Sequence, residues 1–261
     1  MSIYNFITQN RNTLQTIALE SPTWSLPTNA LSIRNLTTVY FTGNFPATSH
    51  AFAEILTNGR QLETFYLSCC ALECSTASSQ FRSVQHTNAL PFLRHFAFTV
   101  HSIGRRTVDR DLFPAISEFL RGRRQLRSLQ LVADDETVQH TTGFDAAVWG
   151  VLPSLEGLKA LNVSYPVDLT PGLASWLIPR AVKALGLSVD YGSQWARDPI
   201  AFLNVSLQSF DLNPQNLTLS SNCDQGSLRV YSTSRFPIST SVIQLLLLSK
   251  DSQWHAYSAL G

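Results

Sequence analysis

Three of the four cysteines in this 261-residue chain crowd together as Cys69, Cys70 and Cys74, and a C-C-x3-C run raises the question of zinc. A tetrahedral site needs a second Cys or His pair at short spacing. None follows, and Cys223 stands far downstream, so structural thiols and no metal are expected. The six histidines, His50, His86, His95, His101, His140 and His255, form no H-E-x-x-H. The chain also lacks a phosphate-cradling Walker loop, a G-x-G-x-x-G turn and a G-x-S-x-G nucleophile elbow. Asp134, Asp135 and Glu136 make an acidic triplet, which reads as solvated turn residues after a strand. The expectation is therefore no catalytic residue, no metal and no cofactor. An enzyme whose site is assembled from distant residues is the remote alternative.

Anion recognition is the other chemistry these side chains offer. Overall charge supplies none of it: 19 basic residues against 18 acidic ones give +1 and a pI near 7.7, so no global field favours nucleic acid or an acidic membrane. Local groupings matter instead. Arg105, Arg106, Arg110, Arg121, Arg123, Arg124 and Arg127 form one cluster, interleaved with Asp109, Asp111 and Glu118. It reads as a solvated helix end neutralised by those acids, with a docking patch as the alternative. RNA binding would ask for interleaved aromatics, and Phe113 and Phe119 are both assigned to an apolar helix face.

The elements that must position such residues show in a recurring hexad, apolar-x-x-apolar-x-apolar. It occurs as LQTIAL from Leu14, LTTVYF from Leu36, LETFYL from Leu62 and LRHFAF from Leu93. It continues as LRSLQL from Leu126, LKALNV from Leu158, VKALGL from Val182 and LQSFDL from Leu207. The starts are 22, 26, 31, 33, 32, 24 and 25 residues apart. In every hexad the second, third and fifth residues avoid the large aliphatics and Phe, which lowers the chance expectation from roughly seven occurrences to roughly two. Each hexad is expected as a short strand with its first, fourth and sixth residues in the core and the others facing out.

Read at the second position, the hexads give Gln15, Thr37, Glu63, Arg94, Arg127, Lys159, Lys183 and Gln208. Four consecutive strands then carry a cation at one level, with Tyr40 and Tyr66 at the fifth position offering flat contact area. Arg94, Arg127, Lys159, Lys183, Tyr40 and Tyr66 are the expected partner-binding residues, suited to an acidic or phosphorylated segment of another protein. The bland alternative is a solvated row of long side chains splayed into water.

Between hexads the spacing turns helical. Residues 49–58 place Phe52, Ile55 and Leu56 on one face before Gly59, and residues 111–121 do so with Leu112, Ile116, Phe119 and Leu120 before Gly122. Phe144, Val148, Val151 and Leu152 form another stripe. Thr170-Pro171 and Asp198-Pro199 pair a capping side chain with Pro at the first helical position, leading into Leu173, Trp176, Leu177 and into Ile200, Leu203. One strand and one return helix cannot bury their own apolar faces, so neighbouring units must stack.

This alternation resembles the leucine-rich-repeat family, whose unit reads L-x-x-L-x-L-x-x-N/C-x-L. LETFYLSCCAL, residues 62–72, fits throughout, with Cys70 at the Asn/Cys place and Leu72 closing it. Asn44 takes that place in the second unit, but Pro22, His101, Asp134, Pro166 and Asp190 take it elsewhere. The irregular spacing and runs such as LPSLEGLKALNV are most similar to the repeats of fungal F-box/leucine-rich-repeat proteins, over about residues 1–235. The resemblance implies an α/β leucine-rich-repeat solenoid, with a curved parallel sheet inside, helices outside and about eight to nine irregular repeats. It also implies substrate recognition for a cullin-type ubiquitin ligase. The F-box segment is not visible in this sequence, so that role rests on the repeat region alone.

Residues 1–261 are expected as a single solenoid. LRVYST from Leu228 reads as a ninth strand, and residues 236–261, with a helix from Thr240 through Leu248, as a candidate C-terminal cap; the alternative is that the chain is a portion of a longer solenoid. No secretory signal and no membrane-length apolar run is visible, which points to the cytoplasm or nucleus. The expected function is non-enzymatic protein binding without nucleic acid, membrane or small-molecule cofactor. A free-standing scaffold is the alternative to the ligase adaptor.

Overall fold

The computed structural model describes residues 9, 13, 15–21, 35–45, 55–56, 59–72, 77–83, 89–101, 108–189, 217–222, 227–232, 244–247 and 255–258. Seven strands pair in chain order and all in parallel: β1 (Thr16–Ser21), β2 (Thr38–Phe45), β3 (Thr64–Leu72), β4 (His95–Val100), β5 (Ser128–Ala133), β6 (Ala160–Ser164) and β7 (Ala184–Val189). Their register keeps the hexads in phase, so the fourth positions Ile17, Val39, Phe65, Phe96, Leu129, Leu161 and Leu185 meet strand to strand. A slip by one residue would turn a whole strand's core side chains to the opposite face. The apolar positions are buried as expected, among them Leu62, Phe65 and Leu67 in the third unit and Leu126, Leu129 and Leu131 in the fifth.

Parallel neighbours require a crossover, and helices supply it. These are α1 (Ala77–Ser83), α2 (Leu112–Leu120), α3 (Glu136–Thr142), α4 (Ala146–Trp149) and α5 (Pro171–Leu177), with a 3-10 turn at Leu152–Ser154. They pack on the face that carries the hexads' apolar residues. Phe81 of α1 meets the rings of Phe98 and Phe119 edge-on, each at 5.7 Å, and Phe113 of α2 meets Phe144 at 4.7 Å, so a phenyl network joins successive crossovers. The third and fifth hexad positions form the other, open face.

Local chemistry sets the helix ends. Gly122, with φ +77°, follows α2, and Thr170 Oγ1 accepts from Leu173 N ahead of Pro171 in α5. Two helices were not expected. Polar α1 hides behind TASSQFRS, where Phe81 is the one large apolar residue. In α3, Asp135 caps the first turn by accepting from Val138 N at 2.7 Å, and Gly143, at φ +69°, closes the last. Glu136 is thus helical rather than part of a loop. The stripe Leu173, Trp176 is also reassigned: these are 50% and 85% exposed, while Ala174 is buried and Leu177 packs on the core. The pair at i and i+3 one residue further on takes the inner face, a rotation of about 100°.

Beyond β7 the parallel order ends. β8 (Leu217–Asn222) and β9 (Ser227–Ser232) extend the sheet in the order β7-β9-β8, both pairings antiparallel. The strand expected from Leu228 exists but runs the opposite way, because only residues 223–226 separate it from β8, too few for a parallel crossover. The helix expected from Thr240 through Leu248 is instead the strand β10 (Gln244–Leu247), antiparallel to β11 (His255–Ser258). A continuous apolar run carries no period that separates helix from strand. The eighth hexad from Leu207 and the helix expected after Asp198-Pro199 lie outside the described residues, as does most of the one over 49–58, although Ile55 and Leu56 are helical and buried.

Candidate functional site

The second hexad residues are joined by a continuous backbone ladder. Thr37 N donates to Gln15 O, Glu63 to Thr37, Arg94 to Glu63, Arg127 to Arg94, Lys159 to Arg127 and Lys183 to Lys159, all at 2.7–2.9 Å. This holds Arg94, Arg127, Lys159 and Lys183 in one row, and all four are exposed. Arg94 Nη1 stands 4.0 Å from Glu63 Oε2 with both side chains about half exposed, a pair too solvated to cancel the charge. Arg127 Nη1 donates to Gly157 O at 3.1 Å, in the turn just ahead of Lys159. Among the described residues no carboxylate pairs with Arg127, Lys159 or Lys183.

Beside this row the open face holds a recess of about 410 Å³, lined by Tyr40, Tyr66, His95, Ser128 and Gln130 around Ala97. It exists because the fifth positions, opposite one another in register, shrink along the sheet from Tyr40 and Tyr66 to Ala97 before Gln130. The two tyrosine rings lie 5.8 Å apart at 46° and form one wall. Sequence reasoning found Tyr40 and Tyr66 but not His95, Ser128 or Gln130; reading the third and fifth positions across strands, as was done for the second, would have found them.

Above the recess the same face carries an array that sequence reasoning missed. His101 Nδ1 lies 2.7 Å from Asp134 Oδ2, and His101 Nε2 lies 2.8 Å from Ser68 Oγ. A carboxylate has no proton to give, so Nδ1–H donates to Asp134; whenever the ring is uncharged, this tautomer turns the Nε2 lone pair to the Ser68 hydroxyl. Ser68 is 6% exposed, and the side chains of His101 and Asp134 are 16% and 10% exposed. Asp134 is therefore no solvated turn residue. Backbone bonds from His101 N to Cys69 O and from Asp134 N to Val100 O carry the ladder past the strand ends and set the two side chains side by side. In the repeat motif both occupy the Asn/Cys place, so there the ladder is made of side chains bonded to each other. At Cys70 the motif is displaced in a different manner. Asn44 pairs with Ala71 while Gly43 pairs with Cys69, which leaves Cys70 as the extra residue of a bulge, and the Cys69 thiol is buried in the core.

The arginine cluster does not act as one patch. Arg123 is drawn inward: its Nε donates to Phe119 O, its Nη1 to Ala89 O and Leu90 O, and its guanidinium lies 4.1 Å from the Phe119 ring centre. Burial lowers its pKa to about 10, which leaves it cationic at neutral pH. Its carbonyl partners include Leu90, a non-glycine residue at φ +50°, so Arg123 pins a strained turn. The acids expected to neutralise the cluster are engaged elsewhere: Asp111 and Glu118 face Arg82, and Asp109 accepts from Ser78 N at the start of α1. Arg110, Arg121 and Arg124 are exposed; Arg105 and Arg106 lie outside the described residues.

No protein-family model matches this chain, and no curated protein matches it. Among the described residues no group of three or more His, Cys, Asp or Glu side chains is placed to hold a metal ion, and no helix is long and apolar enough to cross a membrane.

Proposed function

We propose that this chain is a leucine-rich-repeat solenoid of eight to nine irregular repeats that binds another protein on its strand face, through an acidic or phosphorylated segment. The observation that supports this most directly is the in-register row of Arg94, Arg127, Lys159 and Lys183 beside a recess walled by Tyr40 and Tyr66. An extended segment lying across the strands meets cations at steps of about 4.8 Å, and Arg127 offers a fork that matches a carboxylate or phosphate. Flat residues of the segment stack in the recess, where Tyr supplies contact area at little entropic cost. The resemblance to fungal F-box/leucine-rich-repeat proteins favours substrate recognition for a ubiquitin ligase in the cytoplasm or nucleus as the setting.

The test is a titration of a fluorescein-labelled peptide containing Glu and Tyr, its phosphoserine counterpart and its Gln counterpart. The acidic and phosphorylated forms bind at least about tenfold more tightly, and Tyr66→Ala weakens both. Equal affinity for the Gln form would overturn the reading.

A further inference from the structure

We propose that Ser68 is an activated nucleophile, with His101 as its general base and Asp134 as the positioning residue, and that this relay cleaves a carboxylic ester bound in the adjoining recess. This goes beyond the partner-binding reading and does not depend on it.

The geometry has the parts that nucleophilic catalysis requires. A hydroxyl lies 2.8 Å from an imidazole nitrogen, and the other ring nitrogen lies 2.7 Å from a carboxylate that fixes tautomer and orientation. The three residues come from three successive parallel strands: Ser68 lies within β3, and His101 and Asp134 directly follow β4 and β5. The recess ends one residue pair short of the relay: Tyr66, which lines it, shares a face of β3 with Ser68 two residues on, and Gln130, which also lines it, donates from Nε2 to Thr99 Oγ1 at 2.9 Å. Thr99 stands opposite Ser68 in the register. Its hydroxyl accepts from Gln130 and so keeps its own proton for an oxyanion formed at Ser68. A volume of about 410 Å³ with an aromatic wall and a few polar groups suits an ester with a flat or apolar acyl part.

In the first step Ser68 Oγ bonds to the ester carbon while its proton passes to His101 Nε2, and Asp134 holds the resulting imidazolium. The carbon–oxygen bond to the alcohol then breaks, and the alcohol leaves with the proton from His101. Water attacks the acyl-serine, giving one proton to His101. The carboxylic acid departs as that proton returns to Ser68 Oγ.

A rhodamine fluorophosphonate and p-nitrophenyl butyrate test the proposal on the full chain. The expected result is one adduct per chain, located on Ser68 by peptide mass spectrometry, and ester turnover lost in Ser68→Ala. His101→Gln slows labelling by at least about 100-fold and Asp134→Asn by at least about tenfold, with circular dichroism unchanged. Should His101→Gln fail to fold, Asp134→Asn decides: a folded Asp134→Asn that labels at the wild-type rate overturns the proposal. An unmodified Ser68 in the folded protein, or a folded His101→Gln that reacts at the wild-type rate, overturns the proposal. Trp176→Ser, at an exposed position of α5 that belongs to neither site, leaves labelling intact.

Discussion

Reversing two charges in the cationic row gives the sharpest test of the strand face. Arg127 and Lys159 are adjacent rungs joined by a 2.8 Å backbone bond, both exposed, and neither faces a carboxylate among the described residues. A ligand carboxylate seated between them lies about 5 Å from each charge, worth about 0.8 kcal/mol per pair in water before screening. A Debye length of about 8 Å at physiological ionic strength halves this to about 0.4 kcal/mol. Turning two attractions into two repulsions changes binding by four such amounts, about 1.6 kcal/mol, or roughly 15-fold in Kd. Neutralisation to Gln gives half of that, roughly fourfold. Near 1 M salt, with a Debye length of about 3 Å, the reversal shrinks to roughly threefold. Anisotropy titration of the Glu-containing peptide, paired with urea melts, reads these values. Solvated heads predict a stability change within about 0.5 kcal/mol. A Kd shift below threefold at physiological salt with an unchanged melt would show that the row does not meet the ligand, and a collapsed melt would make the two residues structural.

Three further outcomes concern the frame. Leu129→Ala, fully buried in β5, costs about 2–5 kcal/mol in urea melts, whereas neighbouring Ser128→Ala, on the open face, costs under about 0.5 kcal/mol. Gly122→Ala costs about 1–2 kcal/mol for its left-handed backbone alone, since nothing lies within 4 Å of a new Cβ; Gly143→Ala adds about 1–3 kcal/mol because its Cβ would run into the Arg110 carbonyl, so the paired thermal melts must differ. Arg123→Ala leaves the carbonyls of Phe119, Ala89 and Leu90 without their donor and lowers stability by about 2–4 kcal/mol, and Arg123→Lys recovers little because an ammonium lacks the fork, as calorimetry will show.

Most of the sheet was legible along the chain. Strand position, facing and the level of the cationic row follow from one local rule, that period-2 alternation with three apolar residues must bury one face. The hexads starting at Leu36, Leu62, Leu93, Leu126 and Leu158 obey it in full. The rule weakens where a second signal competes. Trp176 outranks Ala174 in hydrophobicity but not in fit, because a two-turn helix close to the sheet accepts the smaller side chain inward. The polar α1 carries almost no period, and its start is capped by Asp109, more than two dozen residues later in the chain.

What the sequence by itself determined is thus the repeating frame: short parallel strands in phase, apolar face inward, cations on one rung. The tertiary structure alone decided which polar residues meet. Ser68, His101 and Asp134 follow one another at intervals of 33 residues and spell no catalytic motif, yet parallel registry stacks them within hydrogen-bonding distance. Arg123, one of seven clustered arginines, turned inward because carbonyls from residues 89 and 90 lay within its reach. Burial pattern is a property of neighbours along the chain and survives in composition and spacing. Side-chain pairing across strands depends on loop lengths and register, which fold the chain's distant positions onto one another and leave no local trace.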